Sequence, residues 1–164
     1  MINKNPSAEI VWHFLGIADL LRKYGDLITI QEGITTQQWL LLLYLAGDPN
    51  IPTLEPRQRN RLLMASEVAE ALNVSRPNVT NLLGILLKKE LVEQVEDEND
   101  RRRKYLRVTP PGIALLERLE PGRADFNQNL TAKFTAGERA TLLRVLRSMS
   151  DSLASRYSAI QRAD

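Results

Sequence analysis

The stretch that decides the fold lies between residues 66 and 112. It begins Ser66-Glu-Val-Ala-Glu-Ala-Leu-Asn-Val-Ser-Arg-Pro-Asn-Val-Thr-Asn-Leu-Leu83 and closes Asp97-Glu-Asn-Asp-Arg-Arg-Arg-Lys-Tyr-Leu-Arg-Val-Thr-Pro-Pro-Gly112. Ser66 has the side chain of an N-cap and predicts a brief helix over 67–72, with Val68, Ala69 and Leu72 turned inward. Asn73 and Val74 then make a tight turn. Ser75 is a second N-cap, and Pro77 sits in the first turn, where a missing N–H costs nothing. The helix it starts runs to about Lys89, with Val79, Leu82, Leu83 and Leu86 as its apolar face. Two alternating segments, 91–95 and 105–108, read as strands joined by a polar tip. A short helix, a turn, a capped second helix and a charged hairpin make a winged helix-turn-helix.

The flanks are helical. Ile10, Phe14, Ile17 and Leu21 share one face of a helix over 8–24, for which Gly25 is the expected stop. Thr35 and Gln38 have capping-box spacing. The apolar run 39–46 that follows should be a central, buried helix. Gly47, Pro49, Pro52 and Pro56 break the pattern, so 48–61 reads as a long exposed loop. Its Arg57, Arg59 and Arg61 either add phosphate contacts or belong to a mobile segment. A short strand near 62–64 comes next. Pro110-Pro111 opens another helix, carrying Ile113, Leu115, Leu116 and Leu119, with Pro121-Gly122 placed to interrupt or bend it. The last helix spans about 136–160, with Leu142, Leu146, Met149, Leu153, Tyr157 and Ile160 in helical register. The expected class is mainly α with a small β-hairpin wing. We divide it into a helical dimerisation region, 1–34 and 110–164, and a winged helix-turn-helix DNA-binding region, 35–109, interwoven as one domain. Two long terminal stripes are hard to hide within a chain of 164 residues, and their position around a complete DNA-binding unit suits pairing of two copies.

Composition narrows the function. With no cysteine and one histidine, His13, thiol chemistry, thiolate metal sites, histidine-rich zinc sites and most catalytic triads are excluded. There is no phosphate loop and no Gly-x-Ser-x-Gly elbow. Asp97, Glu98 and Asp100 stand beside four cations, which disfavours holding a fifth. We therefore expect no enzyme, no catalytic residue, no metal and no cofactor. No apolar run reaches the about 20 residues of a membrane span, and the N-terminus lacks a secretory pattern, so the expected location is cytoplasmic. Net charge is only +2, so the distribution has to speak. Five acids lie within 93–100, then five bases within 101–107.

Those charges suit a duplex. The first turn of a recognition helix faces base edges in the major groove. Asn78 and Asn81 can pair with adenine. Ser75 and Thr80 can bond phosphate or meet a thymine methyl, and Arg76 can reach guanine or phosphate. Arg101, Arg102, Arg103 and Lys104 on a thin tip can reach the backbone or a minor groove, where a narrow groove attracts arginine. Asp100 can hold one guanidinium in a fixed pose. Trp12, His13, Trp39 and Tyr44 are candidates to line a small-molecule cavity, set against the plainer reading of core aromatics and a surface histidine. The rival function is a winged-helix module that binds protein, which should show an apolar patch in place of the polar helix start and basic tip.

Residues 66–112 resemble the MarR family of bacterial transcription regulators, and the flanking helices match the family's plan. The wing signature of that family is Asp, three residues on Asp-Arg-Arg, then hydrophobic-Thr-x-x-Gly; Asp97, Asp100, Arg101, Arg102, Thr109 and Gly112 stand in register with it. The resemblance implies a homodimer on a palindromic operator, acting as repressor or activator, with repression expected. It makes 75–87 the recognition helix, Arg102 the minor-groove arginine and Asp100 its positioning acid. It also implies a small aromatic or phenolic effector bound between the dimerisation and DNA-binding parts. Three features depart from the pattern. Glu90 replaces a common glycine: either the site keeps a left-handed backbone, which would cost a non-glycine roughly 1 kcal/mol, or the helix end is rearranged. Asn81 replaces a commoner basic residue, and the loop 48–61 is long. The lack of cysteine excludes the family's thiol-oxidation branch.

Overall fold

The fold was taken from a computed structural model, which describes residues 4–52, 54, 61–72 and 74–161. Asn73 of the expected turn, and Arg57 and Arg59 of the arginine-bearing loop, lie outside these. The elements are α1 (Pro6–Thr29), α2 (Thr36–Leu45), β1 (Leu63–Met64), α3 (Ala65–Ala71), α4 (Arg76–Lys88), β2 (Val92–Glu96), β3 (Lys104–Val108), α5 (Pro110–Thr131) and α6 (Ala136–Gln161). They divide into two compact units, 1–121 and 122–164, with the division inside α5. Among the described residues no helix is long and apolar enough to cross a membrane.

In the first unit α2 is the centre. Its Trp39, Leu41, Leu42, Leu43 and Tyr44 are all buried, as the near-continuous apolar run requires. The capping box forms: Thr35 Oγ1 accepts from Gln38 N–H and Gln38 Oε1 accepts from Thr35 N–H. Val68, Ala69, Val79, Leu83, Leu86, Leu91, Val92 and Leu106 complete one core around it with Leu63, Leu115 and Leu119. The sheet has order β1-β3-β2, antiparallel throughout, with Leu106 opposite Leu63 on one side and Gln94 on the other. The wing hairpin is thus anchored by a third, two-residue strand at its edge.

Two helix boundaries differ from the sequence reading. Gly25 does not stop α1; it is buried inside the helix. A Cβ there would stand 2.5 Å from Thr36 Oγ1, so glycine is needed for close approach to α2. Thr36 Oγ1 donates to Asp26 Oδ1 at 2.7 Å, and Thr36 N–H donates to the same oxygen at 2.8 Å. These two bonds hold the Asp26 carboxyl below its usual range, the backbone one foremost. The chain actually turns at Gly33, at φ +64°, after a 3-10 turn over Ile30–Glu32. Ser66 does not cap α3 either. The helix starts at Ala65, and Glu67 Oε2 accepts from the Met64 N–H at 2.8 Å, because a carboxylate at the third position reaches back to the flanking amide.

Pro121 lies within α5, which is assigned as continuous across it. α6 is opened by a capping box of Thr135 with Glu138. None of its described side chains is buried: Leu143, Leu153, Tyr157 and Ile160 are all exposed. The same holds for most of α1, where only Gly25 and Thr29 are buried, while Trp12, Leu15, Leu20 and Leu27 face solvent.

Candidate nucleic-acid interface

α4 is set up by its ends. Ser75 Oγ accepts from the Asn78 N–H at 3.4 Å, and Pro77 occupies the first turn. Its C-terminus is a Schellman motif: Leu91 N–H donates to Leu86 O at 2.9 Å and Glu90 N–H to Leu87 O at 3.0 Å. Glu90 adopts φ +57°, so the site keeps a left-handed backbone and the helix end is not rearranged; it is the one non-glycine with positive φ among the described residues. The helix end is tied to the wing. Thr109 Oγ1 donates to Glu90 O at 2.6 Å, Thr109 N–H donates to Leu91 O at 3.1 Å, and Gly112 N–H donates to Thr109 Oγ1 at 3.2 Å. A Cβ on Gly112 would be 2.2 Å from Leu91 O. This explains the Thr-x-x-Gly close: the hydroxyl latches two elements and the glycine lets them touch.

With Val79, Leu83 and Leu86 inward, the outer face of α4 presents Arg76, Thr80 and Asn81, all exposed, with Asn78 half-buried at the side. Thr80 Oγ1 donates to Arg76 O at 3.0 Å, leaving the hydroxyl's lone pairs as acceptors. Arg76 has no side-chain partner among the described residues. It is a free guanidinium on the first turn.

The wing tip is ordered by a residue whose role the sequence reading left unassigned. Asp97 Oδ1 accepts from the N–H groups of Asn99 at 2.8 Å and Asp100 at 3.1 Å, and Oδ2 accepts from the Tyr105 hydroxyl at 3.0 Å. Its carboxyl is held below the usual range, chiefly by the Asn99 amide and then by the Tyr105 hydroxyl. Only the spacing of Asp97 before an Asn and another Asp hinted at an Asx turn. Asp100 acts on the backbone of the tip. Among the described residues its carboxylate holds the backbone of Arg102, accepting that N–H at 3.0 Å, and no guanidinium. A carboxylate two residues before an amide closes a local turn. The side chains of Arg101 and Arg102 are left exposed and without a protein partner among the described residues. Arg103 lies over the Tyr105 ring at 5.6 Å. Lys104 is exposed but belongs to β3, opposite Glu96. Arg107 is engaged by Glu93 at 2.7 Å.

The four effector candidates fall into two environments. Trp12 is 74% exposed and His13 is exposed on α1, while Trp39 and Tyr44 are buried in the core. The indole N–H of Trp39 has no hydrogen-bond partner among the described residues. No group of three His, Asp or Glu able to hold a metal occurs among the described residues.

The site is thus a capped helix with an open polar face and an ordered tip with two arginines that have no protein partner among the described residues. The model of the MarR family matches residues 32–103, from the Gly33 turn to the wing tip. Over these residues the chain matches the MarR family. This match supports a DNA-binding transcriptional regulator. The chain is 27% identical over 148 residues to a putative transcriptional regulatory protein for the hcr operon of Thauera aromatica, covering 90% of this chain and 82% of that one. It is 35% identical over 95 residues to the transcriptional activatory protein BadR of Rhodopseudomonas palustris, covering 58% of this chain and 49% of BadR. Among solved structures, MepR of Staphylococcus aureus in a DNA complex is similar at a TM-score of 0.74 and 26% identity, covering 87% of this chain and 95% of MepR. The fold is therefore a MarR-type winged helix-turn-helix with flanking helices.

Proposed function

We propose that the chain works in the cytoplasm as a homodimeric repressor on a palindromic operator, released or retuned by a small aromatic or phenolic effector. The observation that carries the DNA-reading part is the pairing of the open Arg76, Thr80 and Asn81 face of α4 with the unpartnered Arg101 and Arg102 of the wing. In this reading α4 enters the major groove, Arg102 enters the minor groove and Arg101, Arg103 and Lys104 meet phosphate. Ser75, Asn78 and the first-turn amides sit where a phosphate or base edge would come. MepR, solved with DNA, supports this placement by likeness.

Homodimerisation is supported by the apolar side chains left exposed on α1 and α6, among them Trp12, Leu20, Leu153 and Ile160. We assign 1–34 and 110–164 to pairing and 35–109 to DNA. A two-fold dimer implies half-sites about one helical turn, roughly 34–36 Å, apart. For the effector, the unpartnered Trp39 indole N–H offers a donor for a carboxylate or phenol oxygen. Trp12 and His13 lie on the face we assign to pairing. Repression is the simplest action of a dimer covering promoter DNA; BadR, an activatory protein, sets the opposite sign as the outcome to watch.

The test is selection of random duplexes by the purified protein, sequencing of the retained fraction and salt titration of the winner. A palindrome bound by a dimer with a steep salt slope is the expected result. No enrichment, either alone or with a panel of aromatic acids, would return the protein-binding reading. A promoter fusion carrying the recovered operator then fixes the sign.

A further inference from the structure

The outer face of α4 continues beyond the residues considered so far. Positions 76, 77, 80, 81, 84, 85 and 88 share one helical side, and all are exposed. Gly84 stands in the middle of that side and Ile85 at its edge beside Asn81, one turn after Thr80 and Asn81 respectively. The other large apolar residues of this helix are buried or half-buried: Val79 is 1% exposed, Leu83 3% and Leu86 0%, with Leu82 and Leu87 half-buried against the core, whereas Ile85 is 46% exposed. Gly84 is unusual in a different way. It lies in the helix interior, where glycine is the least favourable residue short of proline. Its φ is not positive, so no backbone conformation demands it. A Cβ at Gly84 would meet nothing within 4 Å, so no packing among the described residues demands it either. What remains is something outside the chain that comes close to the helix backbone. Gly16 of α1 shares this open surrounding and sits on a face we assign to pairing; Gly137 shares it in the first turn of α6, where glycine costs the helix little.

We propose that Ile85 reads the 5-methyl group of one thymine in each half-site, and that Gly84 is the gap in the helix surface that admits the DNA to that distance. The inference rests on the DNA-reading function proposed above and deepens it. Thymine is the one base that offers the major groove a methyl group, and an aliphatic side chain is its natural contact. Burying that methyl against Ile85 removes apolar surface from water on both sides. Loss of one methyl should weaken binding about fourfold.

The operator recovered by selection supplies the probe. Each thymine is replaced singly by deoxyuridine, which removes only the methyl. Affinity is then measured at fixed salt for the wild type, Ile85→Ala and Gly84→Ala, with helicity checked by circular dichroism. The expected result is one thymine per half-site at which deoxyuridine weakens the wild type about fourfold and leaves Ile85→Ala unaffected. Gly84→Ala should unfold at a higher temperature yet bind the operator at least about tenfold more weakly, opposite signs that a merely structural glycine would not give. If every deoxyuridine effect persists in Ile85→Ala, or if Gly84→Ala binds like the wild type, the inference is overturned while the regulator stands. If the wild type retains no duplex at all, the DNA-reading function fails and this inference with it.

Discussion

Replacing Gly112 by alanine would place a methyl group 2.2 Å from the carbonyl oxygen of Leu91 and 2.7 Å from Val108 Cγ1. The first of these is backbone and cannot swing aside. The start of α5 must move by about 1 Å or more to reach ordinary van der Waals separation. That movement pulls on Thr109, which joins Glu90 O at 2.6 Å, Leu91 O at 3.1 Å and the Gly112 amide at 3.2 Å. Losing two or three such bonds at about 1 kcal/mol each, with some residual strain, costs about 3–5 kcal/mol. For a chain of this size that lowers the melting temperature by roughly 6–20 °C. Urea unfolding followed by circular dichroism, at equal protomer concentration, reads the loss as a fall in midpoint at unchanged slope. Thr109→Val isolates the hydroxyl: with no clash added, it should lose only about 1–2 kcal/mol. A Gly112→Ala protein within about 1 kcal/mol of wild type would refute the reasoning, since a backbone clash of this size leaves no inexpensive escape.

Three further outcomes are expected. Glu90→Gly removes left-handed strain of about 1–2 kcal/mol and returns about 0.4–1 kcal/mol of unfolded-chain entropy, so the net is a gain of up to about 1.6 kcal/mol in chemical denaturation; a loss would mean the Glu90 side chain holds the motif. Arg102→Ala should weaken operator binding by about 1–3 kcal/mol with an unchanged fold, and unaltered affinity and salt slope in a filter-binding titration would remove it from the interface. Asp26, held below its usual range by Thr36, contributes stability that is complete above the ordinary carboxylate value near about 4 and is lost as pH falls through the lower folded value. Unfolding free energy should therefore be flat from about pH 5 upward and drop in acid. Asp26→Asn should flatten part of that drop, and an identical acid limb in the two proteins would separate the Thr36 contact from stability.

The reading-head was legible because its signals are local. Ser75, Pro77, Val79, Leu83 and Leu86 state a capped helix and its buried face within a dozen residues, and the acid-to-base reversal marks the hairpin tip. At Glu90 the sequence leaves a left-handed backbone and a rearranged helix end both open, because a non-glycine stands there, and only the structure, at φ +57°, decides for the first. Asp97 was half visible: its spacing to Asn99 and Asp100 suggests an Asx turn, but its bond to Tyr105, eight residues on across the hairpin, depends on strand register.

The remaining features depend on contacts between segments far apart in the chain. Gly25 has the look of a helix stop, and becomes a close-packing residue only because Thr36 of α2 comes to lie against it. Glu32 is an ordinary surface acid until Arg118, 86 residues later, meets it with two bonds of 2.9 and 2.8 Å. Trp12 and Trp39 look equally apolar on paper, yet one is 74% exposed and the other 6%. By itself, then, the sequence determined which segments are helix, strand and turn, and which charged residues stand together at one tip, because caps, periodicity and turn chemistry act over a few residues. Which glycine is a stop and which a contact, which acid orders a loop, and which indole is buried were decided only by tertiary structure, because burial and close approach belong to pairs of surfaces that no single segment contains.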